Sequence, residues 1–154
     1  MIGLALAAVA AAACPAPEGT NQWVGSQVKA YAQRSVEIVA LAASGDEKKL
    51  AALVDSAATF SIGAGDVGRP LGTGVQGARA FVDDLKAASY AYNGWDYIPQ
   101  ERNVCGPQDV EVQFVTSDGS QMANVTFHYD GGVLRSAAGW WRSLFSGPVK
   151  IEKH

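Results

Sequence analysis

The sequence predicts an α+β fold, and three observations carry that prediction. Residues 110–145 contain three alternating runs separated by Gly-containing turns, the pattern of an antiparallel meander. Apolar residues recur at helical spacing over 24–44 and again over 76–88. The elements also come in the order helix, helix, strand, helix, strand, then meander. That order gathers the helices on one side of a sheet.

In the meander, turns at Asp118-Gly119 and Gly131-Gly132 assign the faces. They pair Phe114 with Ala123, Val112 with Val125, Tyr129 with Leu134 and Phe127 with Ser136. One face then carries Val110, Val112, Phe114, Val125, Phe127, Tyr129, Leu134, Ser136, Ala138 and Trp140, and is apolar enough to need a cover. The other carries Gln113, Met122, Asn124, His128, Arg135, Ala137, Gly139 and Trp141, and meets water or a partner. Only a bulge would reverse this assignment.

Upstream, Val28, Tyr31, Ser35, Ile38, Val39 and Ala42 give the first helix its stripe. Ser44-Gly45-Asp46 stops that helix, and Asp46 caps a second one running to Val54. Ala58 to Ile62 reads as a short strand, Gly63 to Gly74 as a glycine-rich loop, and Ser89 to Tyr97 as a further strand.

The 154 residues, 48% of them hydrophobic, suit one domain with a core. A net charge of −3 and the lack of any basic run argue against a nucleic-acid partner. Two cysteines are too few for a metal cluster, and no metal or cofactor is expected.

Residues 1–13 are uninterrupted apolar and small, and read as a signal peptide. Ala11-Ala12-Ala13-Cys14 resembles a bacterial lipoprotein box, with Cys14 as the lipidated residue and residues 14–24 as a tether. The rival is cleavage at the Ala-x-Ala site, leaving Cys14 free to pair with Cys105 in an oxidising compartment. Either reading exports the chain to the cell envelope or periplasm. Lipidation is the reading preferred, with membrane contact only through that anchor.

The run Ser44-Gly45-Asp46, Leu53, Ala58-Thr59-Phe60, Gly77 and Phe81 resembles the nuclear transport factor 2-like superfamily. Its last hairpin is similar to Val125-Thr126-Phe127-His128-Tyr129-Asp130-Gly131-Gly132. The resemblance covers residues 25–147, leaving 148–154 as a tail. It implies a cone: a curved antiparallel sheet with three helices on its concave side. It also implies where proton chemistry would sit. The ketosteroid isomerases of that superfamily use a Tyr, an Asp base and a protonated Asp. Counting from the shared landmarks puts Ile38, Ile62 and Val125 at those positions, so no catalytic residue is assigned. The epoxide-hydrolase set finds no counterpart beyond a forced choice of Asp55, Arg69 and Asp96.

Two further patterns have plainer readings. Gly63-Ala64-Gly65-Asp66-Val67-Gly68 spells G-x-G-x-x-G, but a dinucleotide site needs a helix to open at that turn, and Arg69-Pro70-Leu71-Gly72 follows instead. It is expected to be a loop at a pocket rim. His128 falls on the mixed face beside Arg135, away from the helices, as a surface histidine.

These readings lead to a non-catalytic module for a small apolar ligand. A pocket is expected from Tyr31, Phe60, Tyr129, Ser136 and Trp140, with Arg142 at its rim. A homodimer is expected through Met122, Ala137, Gly139 and Trp141. An enzyme with a rearranged site and an envelope interaction protein without a pocket remain the alternatives.

Overall fold

The computed structural model describes residues 14–17, 24–64, 67–92 and 103–143. The proposed signal peptide, most of the tether, the aromatic run Trp95 to Ile98 and the tail lie outside them. Three helices are present: α1 (Val24–Ser44), α2 (Glu47–Leu53) and α3 (Gly74–Leu85). Six strands follow the order β1 (Val54–Ala64), β2 (Val67–Thr73), β3 (Ala87–Tyr92), β4 (Gln108–Thr116), β5 (Gln121–Asp130) and β6 (Val133–Ser143).

They form one sheet in the spatial order β2-β1-β6-β5-β4-β3. The sheet is mixed rather than antiparallel, because β1 runs parallel to β6 while every other pair is antiparallel. The reason is topological: β1 enters after a helix, not after a hairpin, so nothing forces it to reverse against β6. The α+β architecture is the one expected, with α3 packed on β1 and β2, and α1 on β4 and α3.

Helix α1 ends as its residues dictate. Gly45 adopts φ 77°, and its N–H reaches Leu41 O at 3.0 Å. Asp46 then caps α2, its carboxylate accepting from Lys49 N at 3.2 Å. The third helix approaches the sheet closely because of Gly77. A Cβ there would lie 2.6 Å from Gly72 C and 2.8 Å from Phe60 Cδ2.

The glycine-rich stretch is not a loop. Gly63 pairs with Gly68, and Ala64 with Val67, in the β1–β2 hairpin. A Cβ on Gly63 would meet Val67 O at 2.2 Å, so the glycines serve this tight return. No helix opens there, and α3 begins only at Gly74.

The core is one aromatic-rich cluster. Ring centroids run Phe60–Phe81 at 5.8 Å, Phe81–Phe127 at 6.5 Å, Phe127–Phe114 at 6.2 Å and Phe114–Tyr90 at 6.3 Å. Edge and tilted contacts of this kind add to area burial. This chain of rings links β1 at one side of the sheet to β3 at the other.

The β4–β5 hairpin has the expected register, with Phe114 opposite Ala123 and Val112 opposite Val125. Its turn is held by Asp118, whose carboxylate accepts from Thr116 Oγ1 at 2.6 Å, Ser120 N at 3.0 Å and Ser120 Oγ at 2.7 Å. These bonds, that from Thr116 foremost, hold its pKa down to about 2. A depressed carboxyl stabilises the fold above its unfolded value of 3.8, and loses that contribution as pH falls through about 2. An NMR carboxyl titration is therefore expected to show an Asp118 midpoint near 2 that rises in Thr116→Val. An ordinary midpoint in the wild type would contradict the turn geometry.

The β5–β6 hairpin departs from expectation. Tyr129 does face Leu134, but His128 then faces Ser136, Phe127 faces Ala137 and Val125 faces Gly139. Arg135 is an extra residue, a β-bulge, and it reverses every later position of β6. Ala137 and Gly139 are thus inside, whereas Ser136, Ala138 and Trp140 lie outside. The reversal lets β6 approach its neighbours, since a Cβ on Gly139 would sit 3.2 Å from both Ile62 Cγ1 and Val125 Cγ2.

Cys14 is bonded to Cys105 across 91 residues of chain, with Cα atoms 6.0 Å apart. This is the pairing set out as the rival to lipidation, and a thioether to lipid would need the same sulfur. The strap 14–17 lies on the β5–β6 turn, where a Cβ on Gly132 would be 3.0 Å from Pro15 C. Arg34 donates to Pro15 O and to Gly132 O, and Gly131 N donates to Cys105 O at 3.0 Å.

Candidate binding groove

Tyr31, Phe60 and Tyr129, expected to line a pocket, are core residues. Tyr31 and Tyr129 are fully buried and Phe60 is 2% exposed. The tyrosine hydroxyls are satisfied within the protein. Tyr31 OH donates to Val104 O at 2.7 Å. Tyr129 OH shares a 2.8 Å hydrogen bond with Ser35 Oγ, which also reaches Tyr31 O at 2.9 Å. Burial pushes the pKa of both phenols up.

Ser136 and Trp140 are on the opposite side of the sheet from them, a consequence of the bulge, and Arg142 is exposed. Trp140, 38% exposed, lies over the β1–β2 hairpin, its Cη2 3.8 Å from where a Gly68 Cβ would stand. The six residues therefore do not surround a common volume. Nor do Met122, Ala137, Gly139 and Trp141 form one surface. Ala137 and Gly139 are buried on the helix side, whereas Met122 is on the outer face.

The positions aligned with isomerase chemistry are hydrocarbon in the core: Ile38 and Ile62 at 2% exposure, Val125 fully buried. The forced hydrolase set also disperses. Asp55 pairs with Arg135, Arg69 pairs with Asp84 at 2.5 Å, and Asp96 lies outside the described residues. His128 Nδ1 is 2.7 Å from Asp109 Oδ1, a cross-strand pair on the outer sheet face. This is the only histidine–carboxylate pair among the described residues, and Asp109 would fix the ring's tautomer.

A different region has the character of a binding site, and its origin is in α1. Beside the stripe that enters the core, α1 carries Ala32, Val36, Val39 and Ala43, again at spacings of four, three and four. This second stripe faces the edge of the sheet, where β3 pairs with β4 alone among the described strands. Val36 and Val39 are half-buried, and Ala40 and Ala43 are exposed. Tyr90 of β3 is 59% exposed.

The result is a groove in two adjoining parts that share Val36 and Tyr90. One, of about 200 Å³, is lined by Lys29, Ala32, Gln33, Val36, Tyr90 and Val112. The other, of about 280 Å³, runs past Val39, Ala40 and Ala43 of α1, Val82 and Leu85 of α3, and Ala87 to Tyr90, with Phe114 beneath. A deeper-volumed depression of about 420 Å³ beside Pro17 is polar, carrying both Arg34 and Glu37. It is a poorer host for an apolar molecule.

The stripe that marks the core face of α1, from Val28 to Ala42, leaves out Val36 and Ala43, so this groove is not among the sites expected from the sequence. The signal was present: one apolar face is sufficient for a surface helix, and α1 has two.

No family model matches the chain, and no curated protein does. Among solved structures it is similar to a protein from Kribbella flavida DSM 17836 provisionally named a ketosteroid isomerase. The TM-score is 0.47 and the identity 12%, over 83% of this chain and 89% of that one. It is similar to a protein of unknown function with a cystatin-like fold from Methylobium petroleophilum PM1, with TM-score 0.46 and 13% identity over 81% and 82%. A nuclear transport factor 2-like protein from Burkholderia xenovorans LB400 gives TM-score 0.37 and 13% identity over 71% and 90%. The likeness lies in the arrangement of elements.

Proposed function

We propose that the chain is an exported, non-catalytic binding module of the nuclear transport factor 2-like kind. It takes a small apolar ligand in the groove between α1 and β3–β4. The observation that carries the reading is the second apolar stripe of α1. Val36 and Val39, with Tyr90 across from them and buried Phe114 beneath, leave hydrocarbon half-covered along a concave surface. Hydrocarbon at the three isomerase-aligned positions supports binding rather than proton transfer. The apolar leader at 1–13 and the Cys14–Cys105 bond support export to an oxidising compartment.

The neutral fluorophore N-phenyl-1-naphthylamine tests this reading. It is expected to bind with enhanced emission, and Val36→Asp is expected to weaken that binding at least tenfold by placing a charge in the groove. Trp140→Ala, on the outer face, should leave the affinity unchanged. Binding that survives Val36→Asp, in a variant that still melts cooperatively, would put the ligand elsewhere.

A further inference from the structure

We propose that the ligand of this groove is a long-chain carboxylate, lying along α1 with its acid group at Lys29 and Gln33. This rests on the groove being the binding site, and goes beyond it by assigning the chemistry of the occupant.

The argument is one of shape and charge. From Lys29 to Ala43 the groove follows fourteen residues of helix, about 21 Å at about 1.5 Å per residue, the span of an extended chain of roughly 16 carbons. Its lining is mostly apolar along that length, which suits a hydrocarbon chain.

The two ends differ in a way that orients the chain. Lys29 and Gln33 stand one helical turn apart and line the same end of the groove, offering an ammonium and an amide N–H to one anionic group. Lys29 has no carboxylate within ion-pair distance among the described residues. At the other end Lys86 also lines the groove, and no side-chain amide stands beside it among the described residues that line that part. The Lys29 end, with two donors side by side, is therefore the one that takes the acid group. Each methylene laid into the groove raises affinity by about three- to fourfold, so chain length supplies the affinity and Lys29 the direction.

Displacement of N-phenyl-1-naphthylamine from the full, oxidised chain separates the outcomes. Tetradecanoate is expected to displace the probe at about three- to tenfold lower concentration than tetradecanol. Lys29→Met should abolish that difference, whereas Lys86→Met should keep it. Octanoate should displace the probe far less well than tetradecanoate. Equal displacement by acid and alcohol, or a preference that persists in Lys29→Met, would overturn the carboxylate while leaving an apolar groove in place. Octanoate as effective as tetradecanoate would overturn the extended pose. Failure of the probe to bind at all, with a dimer that Val36→Asp dissociates in ultracentrifugation, would show that a second copy of the chain occupies the groove. That result would remove both readings.

Discussion

Replacing Cys105 by serine is expected to lower the melting temperature by about 8–20 °C under non-reducing conditions. The bond closes a loop of 91 residues. A link of that length removes about 4–5 kcal/mol of freedom from the unfolded chain in the loop-entropy model. For a domain of this size each kcal/mol shifts the midpoint by about 2–4 °C. The four-residue strap adds the burial of Pro17 and the hydrogen bond from Arg34 to Pro15 O, and the larger part of the effect acts through the unfolded state. Cys14→Ser should match Cys105→Ser, and the double variant should add nothing further. Addition of a dithiol to the wild type should reproduce the same fall. A wild type indifferent to the reductant, with a mass showing both thiols free or Cys14 acylated, would mean that the bond is not the protein's working state.

The second large effect is expected at Phe81. It is 1% exposed and joins Phe60 of β1 to Phe127 of β5. Phe81→Ala should cost about 3–5 kcal/mol in urea unfolding, the lost transfer energy plus the cavity that rigid neighbours cannot fill. Against a total stability on the order of 5–15 kcal/mol this is a large fraction. Phe81→Leu retains most of the volume and should cost clearly less. A loss below about 1 kcal/mol in Phe81→Ala would mean that the ring does not tie the two halves of the core.

What the sequence disclosed follows from how strongly each local signal excludes its alternatives. In the β4–β5 hairpin, Asp118-Gly119 admits one tight turn, and a one-residue slip would bury Gln113 and Asn124 in place of Phe114 and Val125. The observed register is accordingly the expected one. In β6 the run Ala137-Ala138 and Trp140-Trp141 reads almost the same after a slip of one residue. Alternation alone therefore could not reveal the bulge at Arg135. Ser136 and Gly139 held the remaining information: the bulge turns the serine outward and puts the residue without a Cβ against Ile62 and Val125.

The candidate site was less legible than the fold. Tyr31, Phe60 and Tyr129 of the expected pocket are buried, and their large rings fill the interior. The groove instead depends on the relation between α1 and an edge strand distant in sequence, which no local pattern records.

The two margins of the sheet have unequal fates when chains meet at high concentration. The β2 margin, Val67–Thr73, carries Pro70, Arg69 and two glycines, which deprive an incoming strand of a donor and of regular pleat. The β3 margin reads Ala-Ala-Ser-Tyr-Ala-Tyr, uncharged and without proline, with Lys86 as the sole guard at its start. Among the described residues β3 is therefore the margin less protected against pairing with another chain, and a molecule held against Tyr90 would lie beside that margin.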